Sequence, residues 1–312
     1  MMNIINLKKK WITGLLVLAC MAFLSACDSA EDKSKTLVIY DGQFAEMRLM
    51  HQMVKILVED QTDLKVQIKD EMSPVNSFNE LVKGNADLMN SYDGTLLTTF
   101  LHLDPSQVPE GVNLYDFVNE TASKEKHVHL LAKLGLNNTY AVAVPKAIAE
   151  KYHLNTISDL IPVSQNLVFG AEHEFFSEEG SAKFNPFVSF YGLKFKESKP
   201  IDLGLKYSAV QSGNIDVTVT YATDGLNRKA GLKILKDDRQ FFPEYNGALL
   251  VRDDLMPRMA DVAPNLEEVL NKLGGQLSDE IMTDLSYAVD VEGRSSHDVA
   301  QEFLQKRGLL SK

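Results

Sequence analysis

From residue 36 onward, short apolar runs alternate with segments whose apolar residues recur at helical spacing, and this rhythm restricts the chain to an α/β fold. Thr36-Leu37-Val38-Ile39-Tyr40 is a continuous apolar run, the mark of a buried strand. Phe44, Met47, Met50, Met53, Val54 and Leu57 then follow helical spacing, and Leu64, Val66 and Ile68 alternate onto one face of a second strand. A helix over Ser77–Lys83 and a strand over Asp87–Tyr92 come next. Later strands are expected at Ala141–Val144, with Pro145 opening a helix, at Leu167–Gly170 and at Ile215–Thr220, which follows a helix closed by Gly213. Leu249–Asp253 leads into a helical stretch from Pro264 to Leu309. The alternation predicts parallel sheets covered on both faces. About 285 residues follow the N-terminal segment, enough for two lobes facing a cleft. Ligands in such folds sit beyond the carboxyl ends of strands.

The N-terminal segment reads as an export signal. Lys8, Lys9 and Lys10 precede an uncharged apolar run from Trp11 to Phe23, too short to span a bilayer comfortably. It ends in Leu24-Ser25-Ala26-Cys27, which resembles the lipobox of bacterial lipoproteins and implies cleavage after residue 26 and lipidation of Cys27. Residues 27–35 are polar and aperiodic, a flexible tether. The other cysteine, Cys20, lies inside the signal, so the processed chain is expected to have no disulfide. The expected location is extracytoplasmic, with the lipid anchor as the sole membrane contact. Residues 1–26 carry three lysines and no acidic residue, so the remainder is three units more acidic than the whole chain's −11. Such a surface argues against nucleic acid or anionic lipid as a partner.

Motifs for catalysis are missing from the sequence. There is no Gly-x-Ser-x-Gly elbow, P-loop or dinucleotide fingerprint. His127 and His129, two apart, would share one face of a strand, but no third ligand nearby completes a metal set. Neither metal nor cofactor is expected, and nothing asks for an enzyme.

Four tyrosines carry more information. Tyr92 ends a strand in Asn90-Ser91-Tyr92-Asp93-Gly94-Thr95, and Tyr140 precedes the strand at Ala141. Tyr221 terminates the Ile215–Thr220 strand, and Tyr245 lies in the proline-held Phe242-Pro243-Glu244-Tyr245. Each stands where a strand meets a loop, so all four can converge on one cleft; a tyrosine capping a core with its hydroxyl outward is the competing explanation for any one of them.

On Asn137-Asn138-Thr139-Tyr140-Ala141-Val142-Ala143-Val144, Leu167-Val168-Phe169-Gly170-Ala171-Glu172, Gln211-Ser212-Gly213-Asn214-Ile215-Asp216-Val217 and Val289-Asp290-Val291-Glu292-Gly293, the chain resembles the substrate-binding proteins of osmoprotectant ABC importers. These take up glycine betaine, choline, carnitine and related quaternary amines. The resemblance implies a two-lobed periplasmic-binding-protein fold, type II-like, with the ligand cleft between the lobes. The expected lobes are residues 36–141 plus 243–312, and residues 142–242. It implies a tyrosine cage of Tyr92, Tyr140, Tyr221 and Tyr245 around a small cationic solute, with Thr95 as a polar cleft residue, and a membrane permease as partner. Tyr115 is a further candidate in a looser motif.

Two departures bear on the ligand. Betaine-binding members commonly begin Gly-Lys-x-Phe-Thr-Glu-Gln, with the lysine on the ligand carboxylate; here Gly42 falls at that lysine. They also commonly carry an arginine shortly after Phe-Gly-Ala-Glu, where this chain has Glu178. A carboxylate buried without such partners is costly. The expectation is therefore a choline-like ligand, with Gln43 meeting a hydroxyl and Glu178 or Asp93 adding negative potential. Lys183 is a possible replacement cation. A carboxylate-bearing betaine, carnitine or an ergothioneine-like thioimidazole is the alternative ligand. A secreted enzyme or a sensor on the same scaffold is the alternative class.

Overall fold

The computed structural model describes residues 35–176, 182–202 and 205–311. β1 (Thr36–Gly42) leads into α1 (Ala45–Gln61), which buries Leu49, Met50, Met53, Val54 and Leu57 along one stripe. After β2 (Lys65–Met72), α2 (Pro74–Lys83) starts with proline in its first turn and the Ser73 hydroxyl accepting from the Asn76 N–H at 3.4 Å. It stops at Gly84, whose φ of 83° suits a residue without a Cβ. β3 (Leu88–Tyr92) runs into a helical turn at Asp93–Thr95, and α3 (Leu114–Lys126) precedes β4 (Val128–Leu130).

The second lobe holds β5 (Tyr140–Pro145), α4 (Lys146–Tyr152), β6 (Val168–Ala171), α5 (Phe184–Tyr191) and β7 (Glu197–Pro200). It continues with α6 (Lys206–Gln211), β8 (Val217–Tyr221), α7 (Leu226–Lys229) and β9 (Leu232–Ile234). The chain then returns through β10 (Gly247–Arg252), α8 (Leu255–Met259), α9 (Leu266–Asn271), α10 (Asp279–Asp290) and α11 (Ser296–Arg307).

The described strands form three sheets, β1-β2 and β3-β10-β4 in the first lobe and β7-β6-β8-β5-β9 in the second. β10 is buried on both sides because successive residues point to opposite faces. Leu249 and Val251 join the core of α1 and the C-terminal helices, while Ala248 and Leu250 join Phe78, Phe100, Tyr115 and Val118. In the second lobe Val142, Val144, Val217 and Val219 meet Phe169, Phe175 and Phe187.

The expectation of parallel sheets is corrected: the three-stranded sheet is antiparallel and the five-stranded one mixed. β6 pairs parallel with β7 and β8, as strands joined through helices do. β5 runs antiparallel to β8 and β9, and β10 antiparallel to β3 and β4. These two strands enter their sheets from the opposite lobe, so their direction is set by the crossover. The two histidines also part company: His127 is the left-handed C-cap of α3 at φ 57°, and only His129 lies on β4, its Nδ1 2.6 Å from Asp253 Oδ1.

Candidate functional site

The chain passes between the lobes twice, at residues 137–140 and 242–247, and these segments are laced together. The Tyr245 N–H donates to Asn137 Oδ1 at 2.7 Å, the Asn138 N–H to the Tyr245 carbonyl at 3.0 Å, and the Thr139 hydroxyl to the Pro243 carbonyl at 2.7 Å. β3 and β8 end beside this junction, because Tyr92 pairs with Gly247 and Tyr221 with Tyr140.

Tyr140 and Tyr221 stack, with ring centroids 5.3 Å apart and planes 20° from parallel. Tyr140 meets Phe175 and Phe242 edge-on at 5.6 and 6.1 Å, so the aromatic core of its lobe holds it in place. Tyr221 is 44% exposed and leaves much of its ring open. Burial pushes both phenols up, and the negative fields of Glu172 and Glu174 add to this, so both rings stay neutral. Tyr245 lies across Gly94, where an added Cβ would come within 2.7 Å of the ring; only glycine lets the two approach. A cavity of about 190 Å³ borders Tyr245, Gly94, Leu97, Leu114 and Pro243 but none of the other three tyrosines.

Tyr92 is held differently. Its hydroxyl donates to Glu46, a carboxylate only 6% exposed in the first turn of α1. The second Glu46 oxygen accepts from Thr223 Oγ1 at 2.6 Å, across from the other lobe. Burial raises the Glu46 carboxyl, the Thr223 and Tyr92 hydrogen bonds lower it, and the charge of Asp279 raises it. With its proton given to Glu46, the Tyr92 oxygen can only accept. The amide nitrogens of Asn90 and Asn138 turn to it, each at 3.5 Å. That leaves Asn90 Oδ1 and Asn138 Oδ1 as buried acceptors without a partner among the described residues.

The remaining candidates separate. Asp93 is wholly buried, and its oxygens accept from the Gly94 N–H and from the backbone and side chain of Asn246 at 2.7–2.8 Å, so it anchors the junction from behind. Thr95 is half-buried in the turn after β3. Gln43 is exposed, and its backbone carbonyl accepts from the Arg48 guanidinium. Tyr115 is buried and donates to the Leu131 carbonyl, a core role. Lys183 Nζ donates to the Glu174 carbonyl at 3.0 Å and lies 3.7 Å from its carboxylate. Glu178 and Cys27 lie outside the described residues.

Glu46, Asn90, Asn138 and Thr223 went unnoticed in the sequence. For Glu46 a signal existed: it falls on the same helical stripe as Met50, Met53 and Leu57, where a carboxylate has to find buried partners.

Among the described residues no helix is long and apolar enough to cross a membrane. The chain is 32% identical, over 96% of its length and 97% of the relative's, to the "Carnitine transport binding protein OpuCC" of Listeria monocytogenes serotype 1/2a (strain 10403S). It is 30% identical, over 94% of its length, to the "Ergothioneine transport permease/ergothioneine binding protein EgtU" of Helicobacter pylori (strain G27), of which it spans 51%. Among solved structures, a "glycine betaine/carnitine/choline ABC transporter" superposes with a TM-score of 0.79 at 30% identity, over 88% of this chain and 99% of that one. The family model for the substrate-binding domain of ABC-type glycine betaine transport systems matches residues 35–306, and with the two-lobed architecture and the junction described above, the chain belongs to that family.

Proposed function

We propose that this substrate-binding component of an ABC importer works outside the cytoplasm, tethered through Cys27, and captures a quaternary ammonium solute that carries a hydroxyl and lacks a carboxylate, choline being the simplest. In this reading Tyr92, Tyr140, Tyr221 and Tyr245 surround the cation. Residues 137–140 and 242–247 form the hinge between the two lobes, and the closed form docks on the permease.

The observation that carries the reading is the chemical character of the junction, which offers acceptors and anions. A quaternary ammonium has no N–H to donate, so aromatic faces hold it, each worth about 0.5–2 kcal/mol. Four such contacts reach on the order of 2–8 kcal/mol, against about 8 kcal/mol for micromolar binding, so polar anchors must add to them. The unpartnered carbonyl oxygens of Asn90 and Asn138 call for a donor, which choline has and glycine betaine lacks.

Among the described residues a clamp for a carboxylate is hard to find. A Cβ on Gly42 would lie 2.3 Å from Met47 Cβ, so a longer side chain has no room at that position. Lys206 and Lys183 already pair with Glu172 and Glu174, and Arg48 and Arg228 with Asp290 and Asp284.

The relatives named for carnitine and ergothioneine favour a second reading, a carboxylate-bearing ligand. Calorimetric titration with choline, carnitine and glycine betaine separates the two. The expected order has choline tightest and glycine betaine weakest; tighter binding of glycine betaine would end the choline reading.

A further inference from the structure

We propose that Glu46 couples the positive charge of the bound solute to lobe closure: the cation holds Glu46 ionised, and the ionised carboxylate grips Thr223 of the second lobe. The proposal rests on the cationic-ligand reading above.

Three observations carry it. First, Glu46 is a buried carboxylate with no basic group within ion-pair distance among the described residues, an arrangement that is costly unless a cation arrives. Second, its two oxygens hold partners from different lobes. One takes the hydroxyl of Tyr92, a ring of the proposed cage, and the other takes Thr223, 177 residues away. Third, the segment that carries Thr223 is seated on α10 of the first lobe. The Thr283 hydroxyl donates to the Ala222 carbonyl at 3.3 Å, Arg228 pairs with Asp284, and a Cβ on Gly225 would come within 2.5 Å of the Tyr287 nitrogen. Thr223 therefore moves with a surface that must part when the lobes open.

The other charged groups nearby do not supply the missing counter-charge. Tyr92 on β3 is neutral, its phenol pushed well up by burial and by Glu46, and Asp279 on α10 is another acid. Arg48 and His51, on α1 itself, are engaged by Asp290 and Asp41. From the second lobe Asp224, next to Thr223, accepts from Tyr207 and from the Leu226 N–H.

Without solute, burial favours the protonated carboxyl, which must donate through one oxygen and holds its two hydroxyl partners less strongly. A cation against the Tyr92 ring favours the carboxylate. The proton passes to solvent, and both oxygens accept charge-assisted hydrogen bonds. The sign follows: binding releases up to one proton, so affinity rises with pH through the Glu46 transition, by at most about tenfold per pH unit.

The test is calorimetric titration of the full chain with choline from about pH 5 to 8, in two buffers of different ionisation enthalpy. The wild-type protein is expected to release a proton and to bind more tightly as pH rises. Glu46→Gln keeps the shape and an acceptor for Tyr92 but should lose the proton release and the pH slope, and bind roughly tenfold more weakly. Its unliganded melting temperature should match or exceed that of the wild type at pH 8, because a raised carboxyl pKa costs the fold stability as pH climbs past it. Thr223→Val should weaken binding while keeping the proton release. Choline binding without proton release, at equal affinity in Glu46→Gln, overturns the coupling alone. Failure of the wild-type protein to bind any quaternary amine overturns the cationic reading and the coupling with it.

Discussion

The two lobes present their tyrosines by opposite means. In the first lobe the core around α1 is aliphatic, with Leu49, Met50, Met53, Val54 and Leu57 filling it, and Tyr92 is fixed by a hydrogen bond to a buried carboxylate. In the second, Phe169, Phe175, Phe187, Tyr191 and Phe242 form an aromatic core that continues directly into Tyr140 and, by stacking, into Tyr221. Ring packing is indifferent to pH and salt, whereas a hydrogen bond to a buried acid depends on its proton. The second lobe therefore holds its tyrosines by ring packing, and the first holds Tyr92 by a hydrogen bond to an acid.

The strongest way to break this contrast is Phe175→Ala. Phe175 is 1% exposed and touches Tyr140, so its loss opens a cavity beneath that ring, expected to cost about 3–5 kcal/mol in denaturant unfolding. A cost below about 1 kcal/mol would show that the aromatic core is not what holds Tyr140.

Next comes Gly225→Ala. Gly225 has right-handed helical dihedrals that alanine adopts readily, so the substitution would ordinarily be harmless. Here the new Cβ meets the backbone of α10, which cannot swing aside as a side chain can. Choline binding is expected to weaken by about tenfold, or 1.4 kcal/mol, as closure is wedged. Unchanged affinity would mean that the contact between Gly225 and α10 is irrelevant to the bound state.

The smallest effect sharpens the comparison most. Tyr221→Ala removes a ring 44% exposed, so the unfolding midpoint should hardly move while choline binding loses about 0.5–2 kcal/mol. A fall in stability with unaltered binding would make Tyr221 a packing residue only.

Much of this was legible in the amino-acid order. The α1 stripe and the helix over Ser77–Lys83 are local signals, each written within a turn or two of the backbone; the structure starts that helix three residues earlier, at Pro74. The placement of the four tyrosines at strand ends was legible too, since a strand's alternation and the turn after it are adjacent in sequence. Sheet polarity was not, because β5 and β10 join strands that follow or precede them by many residues, and their direction depends on where the crossing chain arrives. The partners of Asp93 were not legible for a similar reason. A carboxylate beside a turn looks available until Asn246, 153 residues later, folds onto it.

By itself, then, the sequence determined the alternation of strands and helices, the acidic surface and the chain's membership in a family of solute-binding proteins. The first two rest on spacing and composition, and the third on the motifs that the chain shares with that family. Tertiary structure alone decided that Glu46 would sit buried between Tyr92 and Thr223, and that the Asn90 and Asn138 side-chain oxygens would be buried without a partner among the described residues. A side chain's charge is a property of its residue type, but its partner and its protonation belong to whatever the folded chain brings beside it.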